Sequence, residues 1–134
     1  MDNKDIKYLT AKDVMEPKVV LIDGLATAKE AVSLMRKENV NVLIVKKRDK
    51  GDAYGIVVVN DLVKGVIIPD RKSDEVNVYE IMSKPVISVP ADMNIRYVPR
   101  LMMKAGIRVA PVIEQNEYIG MISFTNLILD NMEF

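Results

Sequence analysis

The chain has no cysteine and no histidine. Without cysteine there is no disulfide, no thiol nucleophile and no thiolate metal site. Without histidine, the commonest general base and the commonest zinc ligand are both missing. These two absences weigh against most hydrolases and metalloenzymes. A surplus of either charge is also missing. Lys+Arg and Asp+Glu each number 19, so no net charge draws the chain to nucleic acid from a distance. No apolar run approaches the length needed to cross a bilayer. The opening MDNKDIKYLT is polar and lacks the apolar core of a signal peptide. The expectation is a cytoplasmic protein with neither membrane nor nucleic acid as a partner.

What is present suits a folded chain. Of its 134 residues, 49% are hydrophobic and 28% charged, the balance of a globular protein of one compact domain or two small units sharing a core. The stretch Gly106 to Asn126, GIRVAPVIEQNEYIGMISFTN, reads as helix end, apolar strand, polar turn, apolar strand and helix start. An earlier version runs from Asn39 to Asp61, NVNVLIVKKRDKGDAYGIVVVND. Residues 1–9 form a polar arm with little to bury. Thr10 opens a capping pattern with an acid three residues on, so a short helix runs to Met15 and ends before Pro17. Val19–Ile22 reads as a strand closed by the turn Asp23-Gly24. Thr27-Ala28-Lys29-Glu30 is a capping box, starting a helix with Ala28, Ala31, Val32 and Met35 on one face and a stop at Asn39. Val40–Val45 and Tyr54–Val59 pair across the turn Arg48–Asp52, and Asn60 caps a last helix from Asp61 to Val66. Residues 67–76 are a linker rich in charge with a proline.

The second copy repeats the order: Tyr79–Met82 helical, Val86–Val89 a strand, a long helix ending at Gly106, two strands, and a helix from Asn126. Gly106 sits where a helix end needs positive φ. Pro99 leaves two readings of the long helix, a start near Val98 or a kink. The pairs Met15/Met82, Val19/Val86, Leu34/Leu101, Met35/Met102 and Val42/Val109 are each 67 residues apart. Past the hairpin turn, Gly55/Gly120 and Leu62/Leu127 are 65 apart. The one slip falls in a turn, where changes of length are cheap. The chain is an internal duplication: repeat 1 over 10–66, the linker 67–76, repeat 2 over 77–134.

D-V-M…V near Asp13–Val19, its echo E-I-M-S-K-P-V at Glu80–Val86, G-I-R-V-A-P-V at Gly106–Val112, and the closing elements G-I-V-V-V-N-D-L and G-M-I-S-F-T-N-L resemble a tandem pair of CBS domains, the cystathionine β-synthase regulatory repeat. The resemblance covers residues 10–134. It implies an α/β (α+β) fold of two pseudo-symmetric β-α-β-β-α repeats packed through their sheets. It further implies homodimers, and adenosyl ligands such as AMP, ADP, ATP or S-adenosylmethionine held in clefts between repeats.

The family's closing motif runs from Gly through a Thr or Ser to an Asp or Asn. A carboxylate there can accept from both hydroxyls of a ribose cis-diol, and a helix start offers N–H groups to an anion. In repeat 1 Asp61 matches, but Val58 stands where the hydroxyl is expected. In repeat 2 Ser123 and Asn126 match. Each also has a bland reading, Asp61 as a first-turn acid and Ser123 with Thr125 and Asn126 as a helix cap. The segment Arg108-Val109-Ala110-Pro111 resembles the family's adenine wall, with Arg108 able to reach a phosphate and Pro111 suited to a strand edge. By family pairing, one cleft joins Asp61 with Val86, Arg108, Ala110 and Pro111. The other joins Ser123 and Asn126 with Val19 and Val42. The methionines read as core and Lys46–Lys50 as a solvated turn.

Two functions follow. One is a non-catalytic sensor that needs no cofactor, binds an adenine nucleotide or S-adenosylmethionine as a regulatory ligand, and signals to a separate effector protein. The alternative is a ligand-free adaptor that binds another protein. Catalysis is disfavoured, because Ser123 has no histidine to activate it and Asp61 has no evident acid–base partner.

Overall fold

The computed structural model describes residues 9–132. The arm expected over residues 1–9 lies outside the described residues, save for Leu9. The chain divides into two compact units: Val20–Val86, and a second unit that joins the stretch ending at Val19 to the chain from Ile87 onward.

In the first unit, β1 (Leu21–Ile22) runs parallel to β2 (Val42–Val45), and β2 pairs antiparallel with β3 (Gly55–Val58). All four residues of β2 are buried, as befits a central strand. Helix α2 (Ala28–Glu38) starts at the expected box: the Thr27 hydroxyl accepts from the Glu30 N–H at 3.1 Å. It stops where Asn39 turns left-handed at φ 54°. Ala28, Ala31 and Met35 face the core with Ile22, Leu43, Val45, Val57, Leu62, Val76 and Val78. Val76 belongs to the expected linker yet is fully buried. After β3, helix α3 (Val59–Leu62) passes into a wider π-helical turn, Val63–Ile67, in which the Ile68 N–H reaches the Val63 carbonyl at 3.0 Å. Gly65 is needed there, since a side-chain carbon would overlap Ile81. Helix α4 (Val78–Ile81) completes this unit, with the Val78 N–H bonded to Ala26 O at 2.8 Å and the Tyr79 N–H to Gly24 O at 3.0 Å.

The second unit repeats the plan. Its sheet orders β4 (Val89–Pro90), β5 (Val109–Glu114) and β6 (Glu117–Ser123), parallel then antiparallel. Helix α1 (Ala11–Val14) enters it as α4 enters the first unit, with Ala11 N–H on Met93 O at 2.9 Å and Lys12 N–H on Ala91 O at 3.0 Å. Helix α5 (Val98–Ala105) begins at Val98, so Pro99 sits in the first turn, where its missing N–H costs nothing. Gly106 ends α5 at φ 71°. Gln115 and Asn116, both at positive φ, make the tight β5–β6 turn. Helix α6 (Phe124–Asn131) closes the chain. Ala11, Val14, Val89, Ala91, Ile95, Val98, Met102, Ala110, Val112, Ile122 and Leu127 form the core.

Each unit thus takes its opening helix from the other sequence repeat. A short bridge marks the entry in both: Glu16 pairs with Met121 in one unit, and Ser83 with Ile56 in the other. The glycine beside each bridge makes room for it. A side-chain carbon on Gly120 would lie 2.5 Å from Glu16 O, and one on Gly55 would lie 3.2 Å from Ser83 O.

Several expected boundaries move. The strands Val19–Ile22 and Val86–Val89 shrink to Leu21–Ile22 and Val89–Pro90, because only there does the parallel ladder close. Both closing helices start earlier than expected, with Val58 rather than Asn60 capping α3, and Ser123 capping α6. Pro111 lies on the central strand and is fully buried, not at an edge. The equivalent Ile44 donates its N–H to Val20 O at 2.9 Å. Pro111 has no such donor, and β4 joins the ladder only at Val112. No helix among the described residues is long and apolar enough to cross a membrane.

Candidate functional site

The two closing motifs occupy equivalent strand-to-helix corners, but their bonding differs. At the first, β3 ends at Val58 in extended conformation and α3 begins at once. The Val58 N–H donates to Asp61 Oδ2 at 2.8 Å. Valine has no oxygen to return the bond, so this is half a capping box. Asp61 Oδ1 accepts nothing from the described residues. Asp61 is part-buried, and that burial raises its carboxyl above the ordinary carboxylate range, against the opposing pull of the Val58 N–H and then of Lys64. The corner holds a carboxylate that burial penalises and the protein only half satisfies.

At the second corner the box is complete. Ser123 Oγ accepts from the Asn126 N–H at 3.1 Å. Asn126 Oδ1 accepts from the Ser123 N–H at 2.6 Å and from the Ser123 hydroxyl at 3.1 Å. Asn126 Nδ2 donates to Val14 O in α1 at 2.7 Å, and Asn131 Nδ2 donates to Asn126 O at 2.8 Å. Asn126 is only 7% exposed and is the one buried polar residue among those described. The side chain is spent on helix capping and on holding α1.

The other candidates fall into place by unit. In the first unit Val42 lies opposite Val58 across β2 and β3, and the Val86 N–H bonds to Tyr54 O at 2.9 Å. In the second, Val109 lies opposite Ser123, Ala110 opposite Ile122 and Pro111 opposite Met121. Arg108 is exposed just before β5, its carbonyl accepting from the Phe124 N–H at 3.1 Å. Val19 is half-buried at the end of its stretch. Val42, Val58, Asp61 and Val86 therefore belong to the first unit, and Val19, Arg108, Val109, Ala110, Pro111, Ser123 and Asn126 to the second.

Two features escaped the sequence reading. Asp52, at the end of the expected solvated turn, is nearly enclosed and pairs with Lys84, while the Arg48 N–H donates to its Oδ2 at 2.9 Å. Lys84 and then the Arg48 N–H hold the Asp52 carboxyl well below the usual range. Among the described residues no group of three or more carboxylates could hold a metal ion. A shallow depression along α2, lined by Lys29, Glu30, Ser33, Leu34 and Lys37, contains none of the motif residues. It is wide open, and the half-satisfied carboxylate is the better marker of a binding function.

The CBS domain model matches residues 11–67 and 78–130. The chain belongs to the CBS domain family, as a tandem pair. Among solved structures, the hexameric CBS-CP12 protein from bloom-forming cyanobacteria is 38% identical with a TM-score of 0.86, over 91% of this chain and 67% of that one. An uncharacterized protein of Methanopyrus kandleri is 30% identical over 92% of this chain, which spans 63% of that relative's length. The CBS domain pair of protein MJ0100, solved with 5-methylthioadenosine and S-adenosyl-L-methionine, shares the fold at a TM-score of 0.73 and 21% identity, over 89% of this chain and 96% of that one.

Proposed function

We propose that this CBS pair is a non-catalytic regulatory module of the cytoplasm that binds an adenosyl ligand and signals to a separate protein. The ligand class is AMP, ADP, ATP or S-adenosylmethionine, and the working form is a homodimer. One observation carries the reading. Asp61 is a part-buried carboxylate with one oxygen on the Val58 N–H and the other uncommitted. That second oxygen reaches solvent, since no side-chain oxygen among the described residues is buried without a partner, so it is open to a ribose cis-diol, which would offer two donors. The base-lining role that the family resemblance gives to Val86, half-buried in the same unit as Asp61, belongs to the same proposal. The adenosyl ligands of MJ0100 support the ligand class.

A ligand present at 100 times its Kd adds roughly 2.7 kcal/mol to the folded state. Thermal unfolding against each of the four ligands at about millimolar concentration is therefore the test. A shift with one of them that disappears in Asp61→Ala is the expected result. A second reading, a ligand-free adaptor for another protein, draws on Val58 in place of the hydroxyl and on Ile67 and Ile68, which are 70% and 72% exposed. Absence of a shift with all four ligands would favour it.

A further inference from the structure

The two closing motifs share a plan and leave different atoms over. A side-chain amide has two acceptor lone pairs on oxygen and two N–H donors. Asn126 gives both acceptor positions to Ser123 and one donor to Val14 O, and what remains is buried. To hold a diol it would have to release one of these partners, either a Ser123 donor at the start of α6 or the Val14 carbonyl, which Asn131 alone would then reach, at 3.5 Å. Asp61 has the opposite balance. Its carboxylate offers about four acceptor positions and gives one to protein. It has no donor when ionised, so it cannot make the bond that Asn126 makes to a carbonyl of the incoming helix.

We propose that the chain takes one adenosyl ligand rather than two, with Asp61 holding it and Asn126 acting as a latch that fastens α1 to its unit. The ligand half of this statement rests on the reading of Asp61 above, whereas the latch half stands on the bonds of Asn126 alone. The latch closes a stretch also held by the Ala11, Lys12 and Glu16 N–H groups, which reach Met93 O, Ala91 O and Met121 O at 2.9, 3.0 and 2.8 Å. Asn131 reinforces it from the last turn of α6, donating to Val14 O at 3.5 Å as well as to Asn126 O.

Titration calorimetry with AMP and with S-adenosylmethionine, joined to amide hydrogen exchange, tests both halves. The full chain should bind one equivalent of whichever probe binds. Asp61→Ala should raise Kd by at least about tenfold, the loss expected for hydrogen bonds to a charged group. Asn126→Ala should leave Kd and stoichiometry unchanged while the Ala11, Lys12 and Glu16 amides exchange at least about tenfold faster. If Asn126→Ala does not fold, Asn131→Ala should show the same pattern more weakly. Two ligands per chain would overturn this inference and leave the sensor reading standing. Failure of both probes to bind, together with no thermal shift from ADP or ATP, would sink that reading and the role of Asp61 with it. Unchanged exchange at those three amides would overturn the latch.

Discussion

Replacing Gly120 by alanine isolates the contact that ties the opening stretch of the chain to β6. A Cβ at position 120 would stand 2.5 Å from the Glu16 carbonyl oxygen and 2.5 Å from Met15 Sδ. The sulfur belongs to a flexible side chain, but the carbonyl is backbone and is itself bonded. Glu16 N–H donates to Met121 O and Met121 N–H to Glu16 O, both at 2.8 Å. If the alanine methyl pushes this stretch away, those two bonds go, at about 1 kcal/mol each. Overpacking of the contact adds a cost of about 1 kcal/mol at the low end of its range. Gly120→Ala should therefore cost about 3 kcal/mol, a fall in Tm of roughly 10 °C for a chain this long.

Two companions calibrate the Gly120 result. Gly55→Ala meets the end of Met82 at 2.8 Å and Ser83 O at 3.2 Å. It should cost less, about 1–2 kcal/mol, because the methionine can move. Gly106→Ala meets nothing within 4 Å and pays only for φ 71°, about 1 kcal/mol. Urea and thermal denaturation of the three variants should rank them Gly120, Gly55, Gly106 in decreasing cost. A Gly120→Ala protein no less stable than Gly106→Ala would refute the steric argument for the bridge.

The two perturbed aspartates predict opposite pH behaviour. Asp52 has its folded pKa depressed by Lys84 and then by the Arg48 N–H, so its contribution is present above its unfolded value near 4 and is lost as pH falls below that. Wild type should therefore be more stable than Asp52→Asn at pH 7, and the gap should narrow on acidification through about pH 4; a gap independent of pH would contradict the ion pair. Asp61 has its folded pKa raised by burial, so ionisation works against the fold as pH rises from the unfolded toward the folded value. Without ligand, Asp61→Asn should be at least as stable as wild type at pH 7, with any gain fading in acid. A clear loss of stability in Asp61→Asn at neutral pH would show that the carboxylate is structural.

The duplication, the α/β class, the family and most of the elements were legible in the order of residues. Those features rest on local periodicity and local caps: the Thr27–Glu30 box, the stop at Asn39 and the glycine at 106 act within a few residues of themselves. The boundaries it misplaced were set by partners distant in sequence. β4 begins at Val89 because only there does β5 have a free N–H ladder to meet it, and α3 begins at Val59 because Asp61 reaches back to the Val58 N–H. Tertiary structure alone decided that α1 and α4 are exchanged between the repeats, and that Gly120 is fixed by the backbone laid against it. It also separated two motif residues that look equivalent on paper. Asn126 can donate to Val14 O, 112 residues away, and is consumed by doing so; an ionised Asp61 has no proton to give, and its second oxygen stays free for something else.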